Sequence, residues 1–368
     1  MITPAYNITA TERVLPRLAL DFLTGSLDAR ITFTRASTAT FVGSNGLIQT
    51  AAINAPRFDY NPTTLAANGL LVEEQRINLA IYSDDLTNLI WIKTNCTTAK
   101  TATGPDGVTN SATTLTASAA NATALQAIIS ASAARSTTCY IKRRTGSGAI
   151  EMTQNNGTTW SAVTVTSSWT RVSIASATVT NPVIGLRIVA AGDSIDVALF
   201  QCETGSIATS AIPTVASQVT RTIDVAVMTG ANFSSWYNQT QGSFVVNVST
   251  AVNGAYSNYV SDGTVGNYMT VRNGSSGTAF VVSAGSLQAN FGSGALVGKT
   301  AIAYKLNDFA VSVNGGATAT DTLGNVPTVS QLRIGAAVDG TVNLNGYIRS
   351  IAYYPQRLTN SELRAFSK

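Results

Sequence analysis

The chain has 368 residues, enough for two or three domains, with a formal charge of +4, 11% charged residues and 45% hydrophobic ones. Disorder needs the opposite balance, low hydrophobicity with high net charge, and a nucleic-acid interface needs Lys and Arg gathered on one face. Here the tight basic run is Lys142-Arg143-Arg144, which reads as a solvated strand end or hairpin tip, and the absence of histidine excludes Ser–His–Asp and Cys–His catalysis.

The opening stretch, MITPAYNITATERV, lacks the basic region and apolar core of a secretory signal. No apolar run anywhere reaches the 18 or so residues of a membrane-spanning helix, so no membrane insertion is expected. Residues 1–78 are expected to form a segment of a few strands and much irregular chain.

Beyond it, turn dipeptides punctuate runs of Val, Ile, Thr, Tyr and Phe. Asn-Gly begins at Asn45, Asn68, Asn156, Asn253, Asn273, Asn314 and Asn345, and Asp-Gly at Asp106, Asp262 and Asp339. Both pairs tolerate positive φ and suit tight hairpins, which argues for an all-β chain of antiparallel strands. Residues 79–215 are expected to form a first antiparallel β-sandwich of jelly-roll type. The Ala-, Ser- and Thr-rich run from Ala117 to Ala134 reads as strand and loop, and in Thr170–Ile174 the residues Val172 and Ile174 face opposite Arg171 and Ser173. The Pro- and Ser-containing stretch Thr209–Gln218 is the connector.

Residues 216–368 are expected to form a second sandwich. Phe244, Val246 and Val248 share one face of a strand, as do Phe309, Val311 and Val313, the period-two pattern of a half-buried sheet. The chain closes on a short helix. Thr359 is its N-cap, Glu362 completes a capping box, and Leu358 and Leu363 form a hydrophobic staple. Such a short helix depends on packing Leu363 and Phe366 against a sheet. Cys96, Cys139 and Cys202 are odd in number and far apart, which argues against a disulfide framework. Buried free cysteine behaves as a small apolar residue and fits a reducing cytoplasm.

Three stretches carry a family resemblance. The first comprises Arg35-Ala-Ser-Thr-Ala-Thr-Phe-Val, Gly46-Leu-Ile-Gln, Pro56-Arg-Phe-Asp-Tyr and Gly69-Leu-Leu-Val-Glu-Glu-Gln-Arg-Ile-Asn-Leu. In order and spacing it resembles the opening module of bacteriophage head-spike and tail-fibre proteins, and covers about a fifth of the chain. The second, Phe200-Gln-Cys-Glu-Thr-Gly-Ser-Ile-Ala-Thr-Ser-Ala-Ile-Pro-Thr, is similar to the last strand and exit loop of the carbohydrate-binding-module-like jelly roll in such proteins, which commonly carry an aromatic where Ala211 stands. The third, Gly346-Tyr-Ile-Arg-Ser-Ile-Ala-Tyr-Tyr-Pro-Gln-Arg-Leu-Thr-Asn-Ser-Glu-Leu, is similar to the end of their laminin-G or concanavalin-like domains. The resemblance implies a virion fibre or spike assembled in the bacterial cytoplasm, homotrimeric, attached through residues 1–78 to other virion proteins of capsid or tail, and carrying lectin-like domains.

Candidate site residues follow. Arg57, Glu73, Glu74 and Arg76 suit either an attachment contact or an internal network pinning irregular chain. Trp236, Tyr237, Tyr256, Tyr259 and Tyr268, with Asn258, Asp262 and Asn267 nearby, could stack and hydrogen-bond a sugar, or fill the core or a subunit interface. Trp91, Trp160 and Trp169 read as core of the first sandwich. Asp193 and Asp196 supply too few of the ~6–8 oxygens calcium needs unless carbonyls complete the shell. The expectation is therefore no metal, no cofactor and no enzymatic activity. A polysaccharide depolymerase, needing two carboxylates ~5–9.5 Å apart, is the enzymatic rival, and a Tyr- and Arg-based lyase a further one. The function expected is host-surface adhesion to a polysaccharide, with a ligand-free decoration protein of capsid or tail as the alternative.

Overall fold

In the computed structural model, the structure describes residues 15–249, 255–273, 279–292, 298–340 and 343–368. The chain is all-β, with two stacked pairs of antiparallel sheets and a short C-terminal helix.

The first sandwich pairs two five-stranded sheets. One runs in the order Thr170–Val179, Ala133–Thr145, Ser194–Thr204, Ala112–Ala117 and Cys96–Ala102. The other runs Ser161–Val163, Ile150–Thr153, Val183–Ile188, Ala122–Ala127 and Ile92–Thr94. Strand alternation places Leu115, Ile141, Leu186 and Val197 between the sheets. Trp91 closes the core edge-on to Phe200, with ring centroids 5.0 Å apart. Val172 and Ile174 point inward as their alternation requires. Trp160 and Trp169 do not join this core. Trp160 lies half-buried under the Arg187 guanidinium, 4.5 Å from its centroid, and Trp169 lies under Lys142 at 5.0 Å.

The second sandwich is a composite. One sheet runs Ala319–Asp321, Phe309–Val313, Gly298–Lys305, Gln241–Val248, Gly346–Tyr354, Ala67–Val72 and Phe58–Tyr60. The facing sheet runs Thr32–Thr34, Val225–Thr229, Gln331–Ile334, Ala255–Ser261, Tyr268–Asn273, Ala279–Ser283 and Ser286–Asn290. The long strand Gly346–Tyr354 carries two opening strands end to end along one edge. Leu18–Asp21 pairs with Ser350–Tyr353, and Leu70–Val72 with Gly346–Ile348.

The opening segment was expected as a unit of its own; instead four of its strands, Leu18–Asp21, Thr32–Thr34, Phe58–Tyr60 and Ala67–Val72, complete the sheets of the second sandwich, while Ala39–Val42 pairs with Ile48–Ala51 and Arg76–Asn78 with Val219–Arg221 in separate two-stranded sheets. Leu18, Leu20, Phe22, Ile31, Phe33, Leu70 and Val72 are buried with Phe244, Val246, Ile334 and Ile351 in one core. The physical reason is edge completion: the strands of 219–354 leave open edges, and the apolar faces of the opening strands are too small to form a core alone.

Turn chemistry largely follows the dipeptides. Asn156-Gly157 and Asn314-Gly315 have positive φ at both residues, as a type I′ turn requires. Asn68-Gly69 departs from that expectation. It lies inside the strand Ala67–Val72, at a register shift against Phe58–Tyr60. A Cβ added to Gly69 (φ 111°) would sit 2.3 Å from the Ile348 carbonyl oxygen, so the glycine permits close backbone approach. Asn253-Gly254 and Gly274 lie outside the described residues.

The closing helix spans Asn360–Phe366, with Thr359 and Glu362 forming a complete capping box. Leu358, Leu363 and Phe366 pack it on Ala301, Ala303 and Ala310, on the outer side of the strands whose inner faces carry Phe309 and Val311.

Candidate functional site: the junction of three segments

The opening strands, the exit loop of the first sandwich and the connector meet around a buried cluster of charges. Antiparallel pairing of Phe58–Tyr60 with Ala67–Val72 brings Arg57 and Glu73 to the same end of the hairpin. Asp224, just before the strand Val225–Thr229, donates its backbone N–H to the Glu73 carbonyl at 3.0 Å, and the Glu73 N–H returns a bond to Asp224 Oδ2 at 2.9 Å.

Into this frame three arginines converge. Arg57 donates from Nη1 to Glu73 Oε2 at 2.7 Å and from Nη2 to Asp224 Oδ2 at 2.5 Å. Arg35 reaches Asp224 Oδ1 at 3.1 Å while binding the carbonyls of Ser37 and Ala52. Arg221 reaches Glu73 Oε2 at 2.5 Å and also donates to the Glu74 carbonyl. Ser210, from the exit loop, donates its N–H and its hydroxyl to Glu73, and its Oγ accepts from Arg57 and Arg221. Next to Arg221 lies buried Glu203, whose carboxylate receives the N–H and hydroxyl of Thr209. Three guanidinium groups thus pair with two carboxylates, Glu73 and Asp224, away from water, with the Glu203 carboxylate close to Arg221.

Burial alone would raise the Glu73 carboxyl, but Arg221 and Arg57 overcome it and hold it at about 2. Burial also works against the Arg57 charge, and the Glu73 and Asp224 carboxylates reverse the balance and raise its pKa. A buried cluster of this kind adds uncertain net stability, because desolvation offsets attraction. Losing one partner is nevertheless expensive, because it leaves the remaining charge buried without compensation.

Glu74 and Arg76 form a separate, partly exposed pair at the rim. Asn78 completes the weld to the first sandwich: its side chain donates to the carbonyls of Phe200 and Ile212 and accepts from the N–H groups of Ala80 and Cys202. All three motif stretches therefore meet here: Arg35, Arg57, Glu73 and Asn78 from the first, Phe200, Glu203 and Ser210 from the second, and Gly346–Ile348 from the third. Of the expected network residues, Arg57 and Glu73 are central. Arg35, Arg221, Ser210 and Asp224 are equal members that charge spacing along the chain did not single out.

A cleft of about 460 Å³ opens beside the cluster. Asp59 from the opening segment, Tyr140 and Arg171 from the first sandwich, and Tyr347 from the second line it, with Phe41, Ile48 and Leu71 as apolar wall. Asp59 accepts the Val42 N–H at 2.7 Å and the Asn68 amide at 3.2 Å, and Tyr347 faces it. Burial pushes the Asp59 carboxyl up, and burial with the adjacent Asp59 charge pushes the Tyr347 hydroxyl up.

The aromatic residues considered for sugar stacking are placed differently. Trp236 is 1% exposed and sits inside the second core, its Nε1–H bonded to the Asn232 carbonyl at 2.8 Å and its ring edge-on to Phe233 and Tyr353. Tyr237 stacks on Phe233 at 4.6 Å. Tyr259 is 2% exposed and stacks on Tyr268 at 4.8 Å, with Tyr256 edge-on at 5.4 Å. Val260, its neighbour in the strand, faces the core, so Tyr259 belongs to the opposite face from Trp236. Asn258 is buried and accepts the Val271 N–H, while Asp262 and Asn267 bond each other across a turn. The expected platform of Trp236, Tyr237, Tyr256, Tyr259, Asn258 and Asp262 is therefore split between two faces, with its central rings covered by protein, because rings of this size contribute more by burial than by exposure.

Asp193 and Asp196, weighed as calcium ligands, are paired instead with the basic run: Arg143 with Asp193 at 3.1 Å, and Arg144 and Lys142 with Asp196 at 2.9 and 3.5 Å. Among the described residues no group of His, Cys, Asp or Glu is arranged to hold a metal, and no helix is long and apolar enough to cross a membrane.

No protein-family model matches the chain, and no curated protein matches it. A solved structure with some similarity is a mutant of Trypanosoma rangeli sialidase displaying trans-sialidase activity, at 16% identity and a TM-score of 0.28. The similar part covers 39% of this chain and 26% of that one. At that TM-score the likeness bears on neither site nor activity.

Proposed function

We propose that the chain is a bacteriophage virion fibre or spike, homotrimeric, held to other virion proteins through its opening segment and presenting its sandwiches to a host-surface polysaccharide. One observation carries the reading. The three stretches that resemble phage fibre and spike proteins are scattered over more than 300 residues of chain, yet they meet at a single buried junction. A shared structural task accounts for their order and spacing better than coincidence does. Exposed Leu23, Leu47, Ile53 and Leu65 all lie in the opening segment and offer apolar surface for a partner.

A second reading, a decoration protein without a ligand, is favoured by the burial of Trp236, Tyr259 and Asn258. Sedimentation of the full chain at micromolar concentration tests assembly: a mass three times 38.2 kDa is expected, and a stable monomer contradicts the trimer. Retention of bacterial cells by the immobilised chain separates adhesion from decoration.

A further inference from the structure

The cleft beside the charge cluster has the composition of a ligand site. Its volume of about 460 Å³ falls in the ~300–1,000 Å³ range of small-molecule sites. Its polar groups come from three separate parts of the chain: Asp59, Tyr140 with Arg171, and Tyr347. A mere packing defect between two domains has no need of converging hydroxyls and charges. The groups are also mutually close enough to interact, since the Asp59 charge acts on both tyrosine hydroxyls, and Tyr140 on Tyr347.

Arg171 is the informative member. Its guanidinium lies 5.9 Å from the Tyr140 ring centroid and donates to Thr138 Oγ1 at 3.1 Å. Among the described residues it forms no ion pair with a carboxylate, unlike Arg57 and Arg221, which are both committed to Glu73 at the edge of the same cleft. Glu73, which also borders the cleft, is already neutralised by Arg57 and Arg221. A guanidinium fork at a half-open cleft is suited to a ligand carboxylate.

We propose that this cleft is a saccharide subsite for an acidic sugar of the hexuronate class, with the sugar carboxylate at Arg171 and its hydroxyls at Tyr140, Tyr347 and Asp59. The carboxylate is placed at Arg171 because the Asp59 charge repels it. This rests on the adhesion reading and moves the sugar site from the second sandwich to the junction.

The test is saturation-transfer NMR and titration of the full chain with D-glucuronate, and with methyl D-glucoside as the neutral probe. Glucuronate is expected to bind about tenfold or more tightly than the glucoside, on the scale of one charge-assisted hydrogen bond. Arg171→Gln is expected to bring glucuronate down to the glucoside level. Ala208→Trp, which adds bulk at a residue lining the cleft and removes none of its polar groups, is expected to abolish both signals, and it carries the test if Arg171→Gln fails to fold. Glucuronate binding that survives Ala208→Trp, or no transfer to either sugar from the wild-type chain, overturns the subsite. Cell retention separates this from the broader reading. Cells held by both wild type and Ala208→Trp, with no glucuronate transfer to the wild-type chain, refute the cleft and leave adhesion standing. Glucuronate binding in the cleft with no cells retained refutes adhesion and leaves the subsite standing.

Discussion

The two sandwiches are built from similar strands but on different plans. The first takes all its strands from one continuous stretch, Ile92–Thr204. The second takes its strands from both ends of the chain, so that Leu18–Asp21 and Gly346–Tyr354 lie side by side. A local domain can be cut out. A composite one cannot, because its edge strands and part of its core are encoded before the other domain begins. The buried charge cluster sits where the composite closes, and couples that closure to the exit loop of the first sandwich through Ser210.

The comparison is sharpest under truncation. A fragment of residues 78–215 is expected to give a dispersed amide spectrum and cooperative unfolding, whereas a fragment of residues 216–368 is expected to aggregate or remain unfolded. Supplying residues 15–78 as a separate chain should rescue the second fragment. A well-folded 216–368 fragment breaks the distinction.

Point changes probe the joint itself. Arg57→Ala leaves Glu73 and Asp224 short of a buried cation and is expected to cost about 3–5 kcal/mol in urea unfolding. Gly69→Ala drives a Cβ into the Ile348 carbonyl in a left-handed conformation and is expected to cost about 1–3 kcal/mol, with the loss falling on the second sandwich. Acid should act at the same place. Because the Glu73 carboxyl is depressed to about 2 from 4.5, its contribution is fully present above pH 4.5 and is lost as pH falls towards 2. Asp59, whose carboxyl is raised, works in the opposite direction. Glu73→Gln should therefore flatten the acid limb of the stability curve between those values, and an unchanged limb contradicts the role given to Glu73. The smallest effect is at the C-terminus, where Thr359→Ala removes one half of the capping box and should cost about 1 kcal/mol without disturbing the first sandwich.

The fold class was legible because period-two alternation and Asn-Gly turns are local signals. Val172 with Ile174, and Phe309 with Val311, point where alternation placed them, and the Thr359 cap needs only four residues to be read. The composite was not legible, because nothing local in Leu18–Asp21 says that its partner lies more than 300 residues away. The junction was half legible. Arg57 and Glu73 stood out within a motif, but Arg221 and Asp224 sit in an unremarkable Thr-Arg-Thr-Ile-Asp. Their signal was scarcity: in a chain with 11% charged residues, charges flanked by strand residues have reason to be paired inside. The aromatic cluster misled because Trp236 and Tyr259 are close in number, yet Trp236 enters the core from the loop before Gln241–Val248 while Tyr259 sits on the outer face of its strand, which linear proximity does not show. Asn68-Gly69 misled because the same dipeptide serves a turn and a close backbone approach.

Native-state hydrogen exchange tests the central claim most directly. If the opening strands and the late strands form one cooperative unit, the amides of Leu70–Val72 and Leu18–Leu20 should exchange with the same opening free energy as those of Phe244–Val248 and Ile348–Tyr353, and Arg57→Ala should lower all of them together. Opening strands that exchange freely while Phe244–Val248 stays protected would show that the second sandwich stands without them.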